Sequence, residues 1–289
     1  MHDIYPKTIL SAQNGMNLYR GCTHGCIYCD SRSECYQMNH AFTDVAVKRN
    51  APALLYEALS RKRARCMIAT GSMCDPYMPL EETERLTRQC EEIAARMGFG
   101  FTLITKSARV LRDIDVLTTI NRETKCVVQM TLTTFDENLC RIVEPNVSTT
   151  RERVEALCQL RDAGIPCVVW LCPILPFLND TEENLRGILQ DCFDANVRGI
   201  ICFGMGVTLR AGNREYFYQK LDEHFPGMKQ RYLRAFGDAY VCASPNHDRL
   251  MRIFCDECEA HGVLYESDAV FSYLNRFEDR SQGEQGRLF

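Results

Sequence analysis

"RGCTHGCIYCDSR" runs from Arg20 to Arg32. Three cysteines, Cys22, Cys26 and Cys29, fall within it at the spacing Cys-x3-Cys-x2-Cys. A structural zinc site is closed by four protein ligands. Three thiolates leave one coordination position open, which points to chemistry rather than scaffolding. Zinc completed by Cys35 or His24 is the competing reading. Gly21 and Gly25 flank the first two cysteines and let the backbone wrap closely.

The motif stands at the head of a repeated pattern. Apolar runs occur at 16–21, 66–71, 101–105, 126–132, 167–175 and 199–206. Several are apolar on both faces, as parallel strands covered on both sides are. Helical stretches lie between them. "LEETERLTRQCEEIAARMG" (80–98) reads as one helix stopped by Gly98, and Thr149 with Glu152 forms a capping box. Asp180 with Glu183 opens another helix in the same way. About six strand–helix units predict an α/β fold with a parallel sheet. A partial barrel and a doubly wound open sheet both fit.

Past residue 210 the pattern turns mostly helical. Ser244 and Pro245 suit an N-cap and first helical position, and Gly262 suits a stop. The expected division is a barrel over 1–210, a helical extension over 211–278 packed on it, and a mobile tail over 279–289.

Composition narrows the function classes. The 289 residues are 46% hydrophobic with a net charge of −4. That is not the broad basic surface of a nonspecific nucleic-acid coat. The densest basic run, Arg61 to Arg65, reads as a solvated turn. No stretch approaches a membrane span of roughly 18 apolar residues, and "MHDIYPKTIL" lacks a signal segment. Seventeen cysteines in such a chain are expected to be reduced and the protein cytoplasmic. Most thiols are expected to act as small hydrophobes.

Thiolates at the 22–26–29 spacing after a first strand suit a [4Fe–4S] cluster with one iron open. Cys22-x3-Cys26-x-Tyr28-Cys29 resembles the signature of the radical S-adenosylmethionine (SAM) superfamily. The resemblance implies a partial (β/α)6 barrel, a [4Fe–4S] cluster and SAM as cofactors, and a flavodoxin- or ferredoxin-type one-electron reductant. SAM would fill the open iron position and be cleaved to methionine and a 5′-deoxyadenosyl radical.

"TGSMCDPYMPLEETER" (70–85) resembles the spore photoproduct lyase-like branch, which includes DNA-lesion repair enzymes. Further stretches resembling that branch carry the likeness from about Met16 to Leu274. It implies SAM contacts from Tyr28, Ser72, Asp75, Lys106 and Thr131, with Asp75 facing the SAM ammonium and Lys106 the carboxylate. Cys74 and Tyr77 are the expected catalytic pair. The branch's hydrogen-donating cysteine aligns with Ser72, and Cys74, two residues on, is the expected substitute. All these candidates, the cluster cysteines included, follow the expected strand ends, where parallel barrels carry function.

Two further features have readings of their own. Cys242, Cys255 and Cys258 could hold a second cluster, but Leu250, Met251, Phe254 and Cys258 form a helical stripe that reads as a buried face. Gln285 to Phe289, "QGRLF", resembles the peptide that docks DNA-metabolism proteins on the sliding clamp. The leading expectation is a radical SAM enzyme acting on damaged or modified nucleic acid. A small-molecule or peptide substrate is the alternative, and a non-catalytic metal-binding protein a third.

Overall fold

The apolar runs pair in the order in which the chain presents them. The computed structural model describes residues 1–280, so Gln285–Phe289 lies outside the described residues. In chain order the elements begin with β1 (His2–Ile4), β2 (Gly15–Met16), β3 (Tyr19–Arg20), β4 (Ala46–Lys48), α1 (Ala51–Ser60) and β5 (Met67–Thr70). There follow α2 (Glu81–Glu84), α3 (Leu86–Met97), β6 (Gly100–Thr105), α4 (Ile114–Glu123), β7 (Cys126–Thr131), α5 (Glu137–Val143) and α6 (Thr150–Asp162). The chain continues through β8 (Cys167–Trp170), α7 (Glu182–Asp194), β9 (Gly199–Ile201), β10 (Gly206–Thr208), α8 (Asn213–His224) and α9 (Met228–Phe236). It closes with β11 (Val241–Ala243), α10 (His247–Ala260) and α11 (Ser267–Asn275).

Six strands form one sheet in the order β2-β5-β6-β7-β8-β9. Every neighbour pair in it is parallel. The order never reverses, so the sheet is singly wound. That is a partial (β/α)6 barrel rather than a doubly wound sheet with a switch point. Both faces are covered: all six residues of β7 are buried. The largest apolar cluster joins β5 to β9 with α1, α3, α4, α6 and α7.

Three sequence-based boundaries differ. The helix expected over 80–98 is broken at Arg85, whose φ of 51° is left-handed. Buried Glu81 causes the break, because its carboxylate accepts from the Tyr19 hydroxyl and, at 2.8 Å, from the Thr87 amide. Thr181, not Asp180, caps α7, leaving Asp180 to accept from the Phe177 amide and the Ser244 hydroxyl. α10 starts at His247 rather than Pro245, while the Ser244 hydroxyl donates to Asp180 and accepts from the Asn246 amide (2.9 Å) just ahead of it.

The first run also splits. β3 leaves the barrel to pair with β4, which pairs in turn with β1. Beyond residue 210, α10 packs on α7 and α11 on β9. β11 returns to pair antiparallel with β10. No described helix is long and apolar enough to cross a membrane.

Candidate active site

The cluster-motif loop leaves β3 and crosses the C-terminal ends of the barrel strands. Two glycines make that path possible. Gly21 has φ 94°, and a Cβ there would stand 2.5 Å from the Phe42 carbonyl oxygen. Gly71, after β5, has φ 100°, and a Cβ would stand 2.2 Å from the Ile104 oxygen. Only glycine fits such approaches.

Cys22, Cys26 and Cys29 line one cavity of about 100 Å³, together with His24, Ser72, Cys74, Asp75, Lys106 and Thr131. Among the described residues, one His/Cys/Asp/Glu trio has ligand atoms all within 4.8 Å: His2, His40 and Asp44. The cysteine trio is spread wider than the ~3.8 Å between thiolates on one tetrahedral zinc. Sulfurs bound to separate irons need such a spread, so the residues fit a [4Fe–4S] cluster. His24 adds to the fit. It is 2% exposed, and its Nε2 has no hydrogen-bond partner. Burial and the Asp75 carboxylate push the Cys22 thiol up to about 12. Burial raises Cys26 as well, opposed by the Lys106 ammonium.

Asp75 lines the small cavity and is tied to its neighbours through both oxygens. Its Oδ1 accepts from the Tyr77 amide (2.8 Å) and the Thr105 hydroxyl (2.7 Å). Its Oδ2 accepts from the Lys106 amide (2.7 Å) and lies 3.4 Å from His24 Nδ1. Three hydrogen bonds and the His24 contact engage both oxygens of the carboxylate. Asp75 is a strut joining the cluster loop to the ends of β5 and β6. Burial opposes its ionisation, but His24 and these donors hold it down at about 2.

Tyr77 is displaced from its expected role. It is fully buried, and its hydroxyl contacts Glu91 (2.8 Å) and Asp113 (3.1 Å) between β5 and the helix layer. It lines neither cavity of the site. Cys74 lines the small cavity, with Sγ 3.2 Å from the Tyr19 carbonyl oxygen. Cys242 packs in the cluster of α8 and α9, and Cys258 in the main core, so both behave as buried hydrophobes.

A second cavity, of about 450 Å³, shares Cys26, Cys29, Ser72, Lys106 and Thr131 with the first. Its far wall includes Trp170, Cys172, Phe203, Val241 and His247. Tyr28 lines it too, its hydroxyl donating to Glu144. Glu144 is paired with Arg153 at 2.5 Å, both fully buried side chains, and Arg153 also donates to the Thr131 carbonyl (2.7 Å). Burial works against the Glu144 charge, but Arg153 and Lys106 lower its pKa. Lys106 is held charged against burial by Cys26 and Glu144.

Sequence reasoning gave Trp170, Phe203 and His247 no part in the site, and weighed His24 only as a zinc ligand. His24 lies inside the motif that drew attention to its cysteines. Phe203 is 62% exposed and edges onto Trp170 at 5.8 Å. His247 accepts from the Met205 amide (3.2 Å) at the cavity.

A singly wound partial barrel, with a three-cysteine loop over its strand ends, defines a class of SAM-dependent iron–sulfur proteins. The chain matches the Radical SAM superfamily over residues 16–192, and it belongs to that family. Members use a [4Fe–4S] cluster and SAM. It is 31% identical over 223 residues to an uncharacterized protein of Mycobacterium tuberculosis, covering 75% of this chain. The match spans 65% of that relative's length. An uncharacterized protein of Methanocaldococcus jannaschii is 32% identical over 181 residues, covering 62% of this chain and 67% of its own. Among solved structures, a mutant spore photoproduct lyase with bound AdoMet and dinucleoside spore photoproduct superposes with a TM-score of 0.63. It is 12% identical, over 86% of this chain and 74% of its own. The shared fold is the content of that likeness.

Proposed function

We propose that this chain reductively cleaves SAM at a [4Fe–4S] cluster and directs the resulting radical at damaged or modified nucleic acid. The observation that carries the reading is the pair of adjoining cavities. The small one gathers the three thiols, and the larger one extends from the same residues to a wall of aromatic and apolar side chains. About 450 Å³ lies within the usual range of small-molecule sites. Trp170 and exposed Phe203 offer ring faces of the kind that stack unpaired bases. The likeness to a lyase solved with a dinucleoside lesion supports the same direction.

The cluster, when bound, supplies the electron that breaks the sulfonium bond. The chain's own residues do the rest. Lys106 and Thr131 present an ammonium and a hydroxyl to the space shared by the cavities, and Ser72 presents a second hydroxyl. Asp75 fixes the loop that carries the cysteines. Tyr28, Glu144 and Arg153 hold the wall behind Lys106. The electron comes from a flavodoxin- or ferredoxin-type donor. The Gln285–Phe289 peptide is the proposed clamp contact, checked by titrating a peptide covering 281–289 against a sliding clamp.

The main test is anaerobic reconstitution followed by quantification of 5′-deoxyadenosine. The expected result is SAM cleavage that ultraviolet-irradiated oligonucleotides accelerate. Replacing Cys22, Cys26 and Cys29 by alanine should remove both the iron and the cleavage. Cleavage accelerated by peptides or metabolites but never by nucleic acid would transfer the reading to a small-molecule or peptide substrate.

A further inference from the structure

A carbon radical in the large cavity meets few bonds weak enough to give it hydrogen. Among common side-chain bonds to hydrogen, the thiol S–H and the phenol O–H are the weakest, whereas a serine O–H is stronger than a C–H; Tyr28, the tyrosine lining this cavity, has its hydroxyl committed to Glu144. Three cysteines line this cavity: Cys26, Cys29 and Cys172. The first two belong to the cluster motif and are thiolates when iron is bound. Cys172 is the remaining thiol. Ser72 also lines the cavity but has only an O–H to offer. Cys74 lines the small cavity alone, with its sulfur against the Tyr19 carbonyl beneath the loop.

The position of Cys172 is fixed from both sides. β8 ends at Trp170, and the Leu171 amide donates to the Ile201 carbonyl (2.9 Å), which carries the strand direction one residue further. Leu171 is fully buried, so its neighbours Trp170 and Cys172 face the other way, into the cavity. Polar groups lead from the cluster loop to the space before the thiol. His24 is 2% exposed, with Nε2 unpartnered at the small cavity, and buried polar groups are normally satisfied, so that nitrogen awaits a polar ligand. Thr131, whose hydroxyl bonds to no other described residue, and Lys106 line both cavities and join that end to the cavity that Cys172 lines.

We propose that Cys172 is the catalytic hydrogen-atom donor to the substrate radical, an inference that rests on the radical reading above. The Cys172 S–H bond breaks homolytically and a substrate C–H bond forms, leaving product and a Cys172 thiyl. The thiyl takes one electron from the flavodoxin- or ferredoxin-type reductant and one proton from water, which restores the thiol. Burial and the neighbouring Cys202 push this thiol up to about 12 against the pull of Lys106. The hydrogen therefore stays on sulfur at neutral pH.

The experiment needs no identified substrate. Reconstituted full-length protein is equilibrated in D2O and given SAM and dithionite alone. The adenosyl radical then takes its atom from the exchangeable S–D bond, and mass spectrometry counts deuterium in 5′-deoxyadenosine. The wild type is expected to give singly deuterated product. Cys172→Ser is expected to lower that fraction several-fold, with iron content and the cluster absorption spectrum unchanged. Retention of the label in Cys172→Ser, or its loss in Cys74→Ser instead, overturns the assignment. A wild type that makes no 5′-deoxyadenosine at all overturns the radical reading itself, which is a separate outcome.

Discussion

Glu144 and Glu91 are both buried glutamates, and their surroundings shift their carboxyls in opposite directions. Glu144 stands behind the site with Arg153 against one oxygen and the Tyr28 hydroxyl against the other. Its pKa is lowered despite burial, because Arg153 and Lys106 favour the anion. Glu91 sits in α3 with the Tyr77 hydroxyl on Oε1 and nothing on Oε2. Burial and the nearby Asp113 raise its pKa well above the ordinary glutamate value. Burial alone does not set charge; the partner does. Beside the site the fold supplies a buried cation and favours the ionised acid. Within the scaffold it supplies a neutral phenol and favours the protonated one.

The largest expected effect comes from breaking the ionised pair. Arg153→Met leaves Glu144 buried without its counter-charge, which should cost about 3–5 kcal/mol in urea unfolding at neutral pH. A loss below about 1 kcal/mol, the scale of an exposed pair, would show that Glu144 gives up its charge as readily as Glu91 does.

Asp75→Asn is expected to cost less, about 1.5–3 kcal/mol, the scale of hydrogen bonds to a charged group. The folded pKa of Asp75 is depressed, to about 2. The stability it contributes is therefore present above the unfolded value of about 3.9 and is lost as pH falls toward 2. Wild type and variant should converge in acid and separate at neutral pH. A variant of normal stability whose SAM affinity alone drops would return Asp75 to the ammonium role.

The smallest effect probes the neutral acid. A raised folded pKa gives Glu91 stability that is full below the unfolded value of about 4.3 and lost as pH rises through the folded value. Glu91→Gln cannot ionise, so it should gain on the wild type between pH 5 and 9, by at most about 1.4 kcal/mol per pH unit. Parallel stability curves for the two proteins would show that Glu91 is ionised throughout.

The same contrast explains what was legible in the sequence. The barrel was, because parallel strands covered on both faces leave apolar runs: β5, β7, β8 and β9 lie within such runs, and β2 and β6 each start one residue ahead of theirs. The cysteine loop was legible because metal-ligand spacing is local. Asp75 and Tyr77 were readable as neighbours but not as opposites. Two residues apart on an extended segment suggests one face, and the Pro76 turn sends one inward to the loop and the other to the helix layer. The Glu144–Arg153 pair, nine residues apart, straddles the capping box at Thr149, so no single element's periodicity links the two. His247 and Phe203 reach the cavity through the pairing of β10 with β11, a contact between segments 33 or more residues apart that no local pattern announces.

Lys125, at the opposite end of the barrel from the site, has a consequence for how the protein is made. Its side chain is wholly enclosed at the start of β7, with the ammonium donating to the carbonyls of Tyr273 (2.6 Å) and Arg276 (3.1 Å) and facing Glu278 (3.2 Å). A ribosome delivers Lys125 some 150 residues before those partners, as the separation of 148 to Tyr273 records. During that interval the ammonium must remain in water, and the floor of the nascent barrel stays open around it. The cysteine loop is already outside the exit tunnel by then. The rim that receives iron is thus presented to the cell before the floor is sealed, and closure waits for the last helix to arrive.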